Sequence, residues 1–246
     1  MHEAANQGVD KSLAIWEIIS VMTSCLIAEW VITAVAGASN LLLVVPIIFA
    51  FGLMFWSHRV RGESLREIGF RFDNFGKAAR LLIVPMVLAT LVLIGIGYFN
   101  GSIDFFRWRG GGAVLGMPLL GILWGLVQQY ALQGFINRRA QIAWGSGPVS
   151  VLIVAVLFGA FHLPNPGLMI ATFVGALVWA TVYQRAPNLF ALAISHGLMT
   201  WILIPPFPAI SFTGCASAIS SSGESPFLVG VVGRNEGLGF RADSLR

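Results

Sequence analysis

Long apolar runs dominate the chain, and they predict helices that span a membrane. A window of about 20 apolar residues is enough to cross the hydrocarbon core as an α-helix. The chain contains about seven such runs: Leu13–Ala36, Leu41–Trp56, Leu81–Phe99, Val114–Ile136, Val149–Phe161, Leu168–Val182 and Leu189–Ile204. None of them alternates apolar and polar residues, as a membrane-spanning strand would. The pattern therefore predicts an all-α, polytopic membrane protein of about seven transmembrane helices.

Composition and charge support this class and orient the chain. Only 11% of the residues are charged, whereas soluble domains carry about a quarter. Basic residues fall between the runs, in the stretch Arg59–Arg80, at Arg138 and Arg139, and at Arg185. With this span count, those loops share one side, and the positive-inside rule makes that side and the N-terminus cytoplasmic. Membrane lipids are therefore expected partners, and nucleic acid is not.

The chain divides into four parts by composition. Residues 1–58 hold N-terminal transmembrane helices, 59–80 form a cytoplasmic amphipathic loop, 81–208 form a transmembrane core, and 209–246 form a flexible tail of small and polar residues. In the loop, apolar Leu65, Ile68 and Phe70 alternate with basic residues. This suits a short helix on the anionic membrane face as well as a solvated connector.

A few polar residues interrupt the predicted spans. Such groups are costly at membrane depth and are candidates for function. Gln129 and Gln133 lie four residues apart on one helical face, while Gln128 is rotated by about 100°. His162 and His196 lie on two other runs. Amides of this kind can simply join helices, and lone histidines are often packing residues, so the residues alone leave a shared interior site open.

Other features of the spans are expected to be structural. Gly121 and Gly125 form a small-xxx-small pair that permits close helix contact. Glu17 and Glu29 lie in the first run, and a structural role is expected for both.

The spacing of the polar residues resembles the CAAX-protease and bacteriocin-processing family of intramembrane endopeptidases, which includes the Ras-converting type of CAAX protease. That family carries Glu-Glu-x-x-x-Arg, Phe-x-x-x-His and His-x-x-x-Asn or Asp on three spans. The corresponding residues here are Gln128, Gln129 and Gln133, then Phe158 and His162, then His196 and Thr200. The resemblance covers about residues 60–205.

The resemblance implies a site that opens within the bilayer and cuts a lipidated or membrane-anchored peptide. In the family a buried glutamate activates water, and the histidines help to hold the water or stabilise the oxyanion. The catalytic positions are then Gln128, Gln129, His162 and His196, supported by Gln133, Phe158 and Thr200. Gln128 replaces the catalytic glutamate, and a carboxamide takes no proton near neutral pH.

No aspartate or glutamate lies between Asp104 and Glu224, so the matching part of the chain offers no other carboxylate. Gln129 and Gln133 stand where the family has an ion pair. Losing one partner of a buried pair costs about 3–5 kcal/mol, whereas replacing both removes the charges together. The joint change predicts a retained fold.

Three hypotheses follow for function. The first is a working endopeptidase, with His162 or His196 as general base while Gln128 and Gln129 orient water or stabilise the oxyanion. The second is a pseudoprotease that binds a lipidated or transmembrane segment without cutting it. The third, a small transporter, is disfavoured because inverted repeats are not evident.

The sequence leaves the cofactor open. A metal is not favoured, because two histidines without a carboxylate or thiolate fall short of the usual three protein ligands of catalytic zinc.

Overall fold

The regular structure of the described residues is entirely helical, which confirms the predicted all-α class. The computed structural model describes residues 2–32, 35, 41–101, 103, 116–163 and 165–203. The elements are α1 (His2–Leu26, continued as a π-helix Ile27–Ile32), a 3₁₀ turn (Leu41–Leu43), α2 (Val44–Val60), α3 (Leu65–Ile68), α4 (Phe75–Phe99), α5 (Gly116–Gln129, continued as a π-helix Tyr130–Asn137), α6 (Arg138–Trp144), α7 (Pro148–Ala160), α8 (Pro166–Arg185) and α9 (Leu189–Leu203). The predicted tail, residues 209–246, lies outside the described residues.

Several helices are apolar and long enough to cross a membrane, so the chain is an integral membrane protein. Within the part of the chain that the structure describes, four meet the length of a full span: Asp10–Ile32, Phe75–Phe99, Leu119–Trp144 and Pro166–Arg185. Shorter apolar helices occupy Val44–Val60, Pro148–Ala160 and Leu189–Ile202. Large apolar side chains cover the outside of α4; Phe99, for example, is 88% exposed. Such a surface is stable against lipid and costly against water.

The closest helix crossing joins α5 to α9 through glycines. A Cβ atom on Gly197 would lie 2.6 Å from the backbone nitrogen of Ile122, and one on Gly125 would lie 3.0 Å from the carbonyl oxygen of Ala193. A Cβ on Gly121 would meet Gly197 at 3.4 Å. The close contact predicted from the small-xxx-small pair is therefore present, and it brings the middle of α5 against the middle of α9.

The connector between α2 and α4 is anchored to the rest of the protein at Ile68 and Gly69. The Ser64 side chain caps α3 in a capping box with Glu67. Ile68 is 2% exposed, and its carbonyl accepts a hydrogen bond from the Tyr183 hydroxyl at 2.6 Å. Gly69 ends α3 at a φ of 111°, and its carbonyl accepts the backbone N–H of Leu189 at 2.9 Å. The connector is therefore held against α8 and α9 at this point, while Leu65 and Phe72 are 63% and 73% exposed.

Candidate active site

Aromatic side chains from two helices contact the two predicted histidines. Phe158 and His162 lie one turn apart on α7, with ring centroids 4.9 Å apart. His196 of α9 stacks on Trp179 of α8, with centroids 4.6 Å apart and planes 9° apart. Phe158 also lies 6.0 Å from His196, centroid to centroid. The structure therefore brings both His162 and His196 into ring contact with Phe158.

Trp179 is a member of this cluster that the motifs did not reveal. Its indole N–H donates to the Ser195 hydroxyl at 3.0 Å, which fixes the ring plane on which His196 stacks. Its only signal in the sequence was an aromatic residue within the apolar run Leu168–Val182.

Gln129 is the amide that faces the histidines. Its side chain is completely buried, and its Nε2 lies 3.0 Å from Nδ1 of His196. Gln128 is half-buried, and its side chain has no hydrogen bond with another described residue. The motif alignment assigns the glutamate position to Gln128, whereas the tertiary contact belongs to Gln129.

The hydrogen bonds assign opposite roles to the two imidazoles. His162 Nδ1 lies 2.8 Å from the carbonyl oxygen of Phe158. A carbonyl only accepts, so Nδ1 carries the proton and Nε2 presents a lone pair. The Gln129 amide nitrogen only donates, so His196 Nδ1 accepts and its Nε2 carries the proton. One histidine is thus set to accept a proton and the other to donate a hydrogen bond.

Two of the supporting residues make no direct hydrogen bond with the histidines. The Oε1 of Gln133 accepts a hydrogen bond from Asn137 Nδ2 at 2.7 Å, and no direct hydrogen bond joins Gln133 to Gln129. Thr200 is half-buried on α9, and its side chain makes no hydrogen bond within the described residues. Gln133 and Thr200 therefore make no direct hydrogen bond with Gln129, His162 or His196 in the described residues.

A buried ion-pair network joins α6 to the rest of the bundle, and no sequence pattern predicted it. Arg139 is completely buried; its NH2 donates to Glu63 at 2.8 Å, and its Nε lies 2.9 Å from Glu17. Arg138 and His58 also bond Glu63, at 2.7 Å and 2.5 Å. Burial acts to raise the pKa of the Glu63 carboxyl, but the hydrogen bonds from these three residues outweigh it and hold the pKa well below its ordinary value. Glu17 is thereby structural, as expected.

The donor set at the histidines does not fit a catalytic metal. No group of three or more histidine, cysteine, aspartate or glutamate side chains comes together anywhere in the described residues. At the site itself, Nδ1 of each histidine is already used, and the third polar side chain is an amide. Catalytic zinc usually takes three protein ligands, so no step is derived through a metal.

The helices form a membrane bundle, and its apolar interior holds two histidines, one set to accept a proton and the other to donate a hydrogen bond. These features define an integral membrane protein with an intramembrane polar site. Residues 110–202 match the family model described as Rce1-like, type II CAAX prenyl endopeptidase. The matched segment contains all the motif residues, so the resemblance to CAAX proteases is confirmed over that segment. Comparisons with curated proteins and with solved structures found no match.

Proposed function

We propose that the chain is a CAAX-type intramembrane endopeptidase that acts on lipidated or membrane-anchored peptides. Its site is the histidine cluster, defined as Gln129, His162 and His196. The observation that carries the proposal is the complementary pair of tautomers, since hydrolysis needs one group to accept a proton and another to stabilise negative charge. The family match over residues 110–202 supports the substrate class.

His162 acts as the general base in this scheme. A water oxygen attacks the carbonyl carbon of the scissile peptide while one water proton moves to His162 Nε2. The same proton then passes to the leaving amine nitrogen as the C–N bond breaks. Proton transfer by a positioned side chain contributes typically 10²–10⁴-fold in rate.

His196 stabilises the oxyanion, and Gln129 positions it. The Nε2–H of His196 donates to the oxygen on which charge develops, within a low-dielectric site where such a donor is most effective. The Gln129 amide holds the imidazole by the opposite nitrogen, 3.0 Å away. Stacking on Trp179 keeps the ring in one plane.

A second candidate is a pseudoprotease that binds such peptides without cutting them. It is favoured by the amide that meets His196 where a carboxylate would supply a stronger base. A carboxylate in that pocket would have a raised pKa and take the water proton itself, and the chain has none between Asp104 and Glu224.

Cleavage of a fluorogenic prenylated CAAX peptide by the full chain in lipid vesicles separates the two. We expect the wild type to cleave and His162→Ala to lose at least about 10²-fold in kcat/KM. Gln129→Glu should increase the rate, and the neighbouring Gln128→Glu is its matched control. Peptide binding by the wild type without cleavage, together with activity gained only in Gln129→Glu, would establish the pseudoprotease instead. Absence of both binding and cleavage would refute both candidates.

We also propose seven transmembrane spans with the N-terminus and the connector on the cytoplasmic side. Arg138 supports this arrangement, because it bonds both Glu63 and the carbonyl of Glu67. The connector and the start of α6 therefore lie at one end of the bundle, as the shared side of the basic loops requires.

A further inference from the structure

A straight row of four amides runs along the helix that carries Gln129. The amide row is Gln129, Gln133, Asn137 and Gln141, each four residues from the next. In an α-helix such positions drift by about 40° per step. The π-helical stretch Tyr130–Asn137 has wider turns, which offsets the drift. The first three side chains are completely buried.

The hydrogen bonds of the amide row all run in one direction, toward His196. The exposed Ser146 hydroxyl donates to Gln141 Oε1 at 2.8 Å, and Gln141 Nε2 donates to Asn137 Oδ1 at 3.2 Å. Asn137 Nδ2 then donates to Gln133 Oε1 at 2.7 Å. At the far end, Gln129 Nε2 donates to His196 Nδ1.

Backbone groups fix this direction. The N–H of Gly147 donates to Gln184 Oε1 at 2.9 Å, which turns Gln184 Nε2 toward Asn137 Oδ1, 3.0 Å away. Asn137 Nδ2 also donates to the carbonyl of Ala180 at 3.3 Å. An N–H only donates and a carbonyl only accepts, so Asn137 cannot turn over. Gln133 must therefore present its oxygen to Asn137, which leaves its Nε2 for a different partner.

One link of the row is missing. Gln133 Nε2 and Gln129 Oε1 are both buried, and neither has a hydrogen-bond partner among the described residues. One is a donor and the other an acceptor, a single turn apart. A buried polar group left unsatisfied costs about 1–3 kcal/mol, and buried groups of this kind are typically satisfied by internal water.

We propose that one water molecule bridges Gln133 Nε2 and Gln129 Oε1, and that the completed row holds His196 in its Nε2–H tautomer. The water accepts from Gln133 and donates to Gln129. If the Gln129 amide were turned over, the water would face two donors, Gln133 Nε2 and Gln129 Nε2. The protons of the water would then have no acceptor in the row. Gln133, Asn137 and Gln141 are then positioning residues for His196.

The role of the amide row in stabilising the oxyanion rests on the proposed function. Hydrogen bonds in a chain polarise one another, by about 10–30% per bond. A row whose donors all point inward would therefore strengthen the hold on Nδ1, and it connects the site to the exposed Ser146.

Solid-state NMR of the full chain in lipid nanodiscs, with ¹⁵N-labelled histidine and glutamine, tests the water and the tautomer directly. We expect the Gln133 side-chain amide to show a cross-peak to water, and His196 Nδ1 to resonate as unprotonated. Gln133→Leu should abolish water contact at Gln129 and give His196 a mixture of tautomers. Gln128→Leu, the matched loss of an amide outside the row, should change neither signal.

A direct coupling between the Gln133 and Gln129 amides without water contact would overturn the bridge. A protonated Nδ1 on wild-type His196 would overturn the direction of the row. Both results come from the wild type, so a variant that fails to fold does not leave the proposal undecided. None of these signals depends on cleavage, so failure of the peptide assay and failure of the amide row are separate outcomes.

Discussion

Replacing Gly197 with alanine should push α5 away from α9 and open the histidine cluster. The new Cβ atom would lie 2.6 Å from the nitrogen of Ile122 and 2.8 Å from the carbonyl carbon of Gly121. Both are backbone atoms, so no side chain can rotate out of the way. Relief requires the helices themselves to separate.

The size of the effect follows from these distances. Ordinary contact begins at 3.4 Å, so the helices must part by about 0.8 Å at the crossing. Overpacking of this kind costs typically about 1–3 kcal/mol. Transferred to the bond between Gln129 and His196, now 3.0 Å, the same shift exceeds the range of a useful hydrogen bond. Gly197→Ala should thus lose both stability and the fixed His196 tautomer.

Reversible unfolding in detergent micelles measures the loss of stability, and the ¹⁵N signal of His196 measures the loss of the fixed tautomer. Gly95→Ala is the matched control, because a Cβ at that position on α4 meets nothing within 4 Å. It should unfold like the wild type, or slightly later, since alanine favours helix over glycine. If Gly197→Ala were as stable as Gly95→Ala and kept the wild-type tautomer, the crossing would not control the site.

Further predictions concern the ion-pair network and the topology. Glu63→Gln should lower the free energy of unfolding by about 3–5 kcal/mol, because it removes one partner of the fully buried Arg139. The control Asp73→Asn breaks an exposed ion pair and should lower it by less than about 1 kcal/mol. The pKa of Glu63 is lowered in the folded state, so the stabilisation by its carboxylate should be complete above the unfolded pKa of about 4.3 and fall as the pH drops below that value. The free energy of unfolding, measured against pH, should lose this slope in Glu63→Gln. An unchanged slope in that variant would assign the pH dependence to other carboxyl groups. In a background without native cysteines, Ser146→Cys should react with an impermeant thiol reagent only from the cytoplasmic side, and Gly101→Cys only from the opposite side. Labelling of both cysteines from the same side would exclude the seven-span arrangement.

Much of the fold can be predicted from the sequence, because each membrane-spanning helix is specified by a local run of apolar residues. Each apolar run must satisfy its own backbone hydrogen bonds in lipid, so it becomes a helix whatever its neighbours do. The four-residue spacings of Phe158 with His162 and of Gln129 with Gln133 likewise place each pair on one face without reference to the rest of the chain. The family resemblance depends on these local spacings, and it holds over residues 110–202.

The tertiary structure decided which polar groups meet. Helical periodicity gives the face of a helix but not its rotation against a neighbour, and here the glycine crossing at Gly197 turns Gln129 toward His196. Trp179 joins the histidines, and Glu63 meets Arg139 across 76 positions of sequence, through packing that no local pattern encodes. The sequence by itself therefore determined the helices and their candidate polar residues. Only the packing of α5, α8 and α9 decided that Gln129 faces the histidines and that the two imidazoles have opposite polarity, because both depend on contacts between residues distant in the chain.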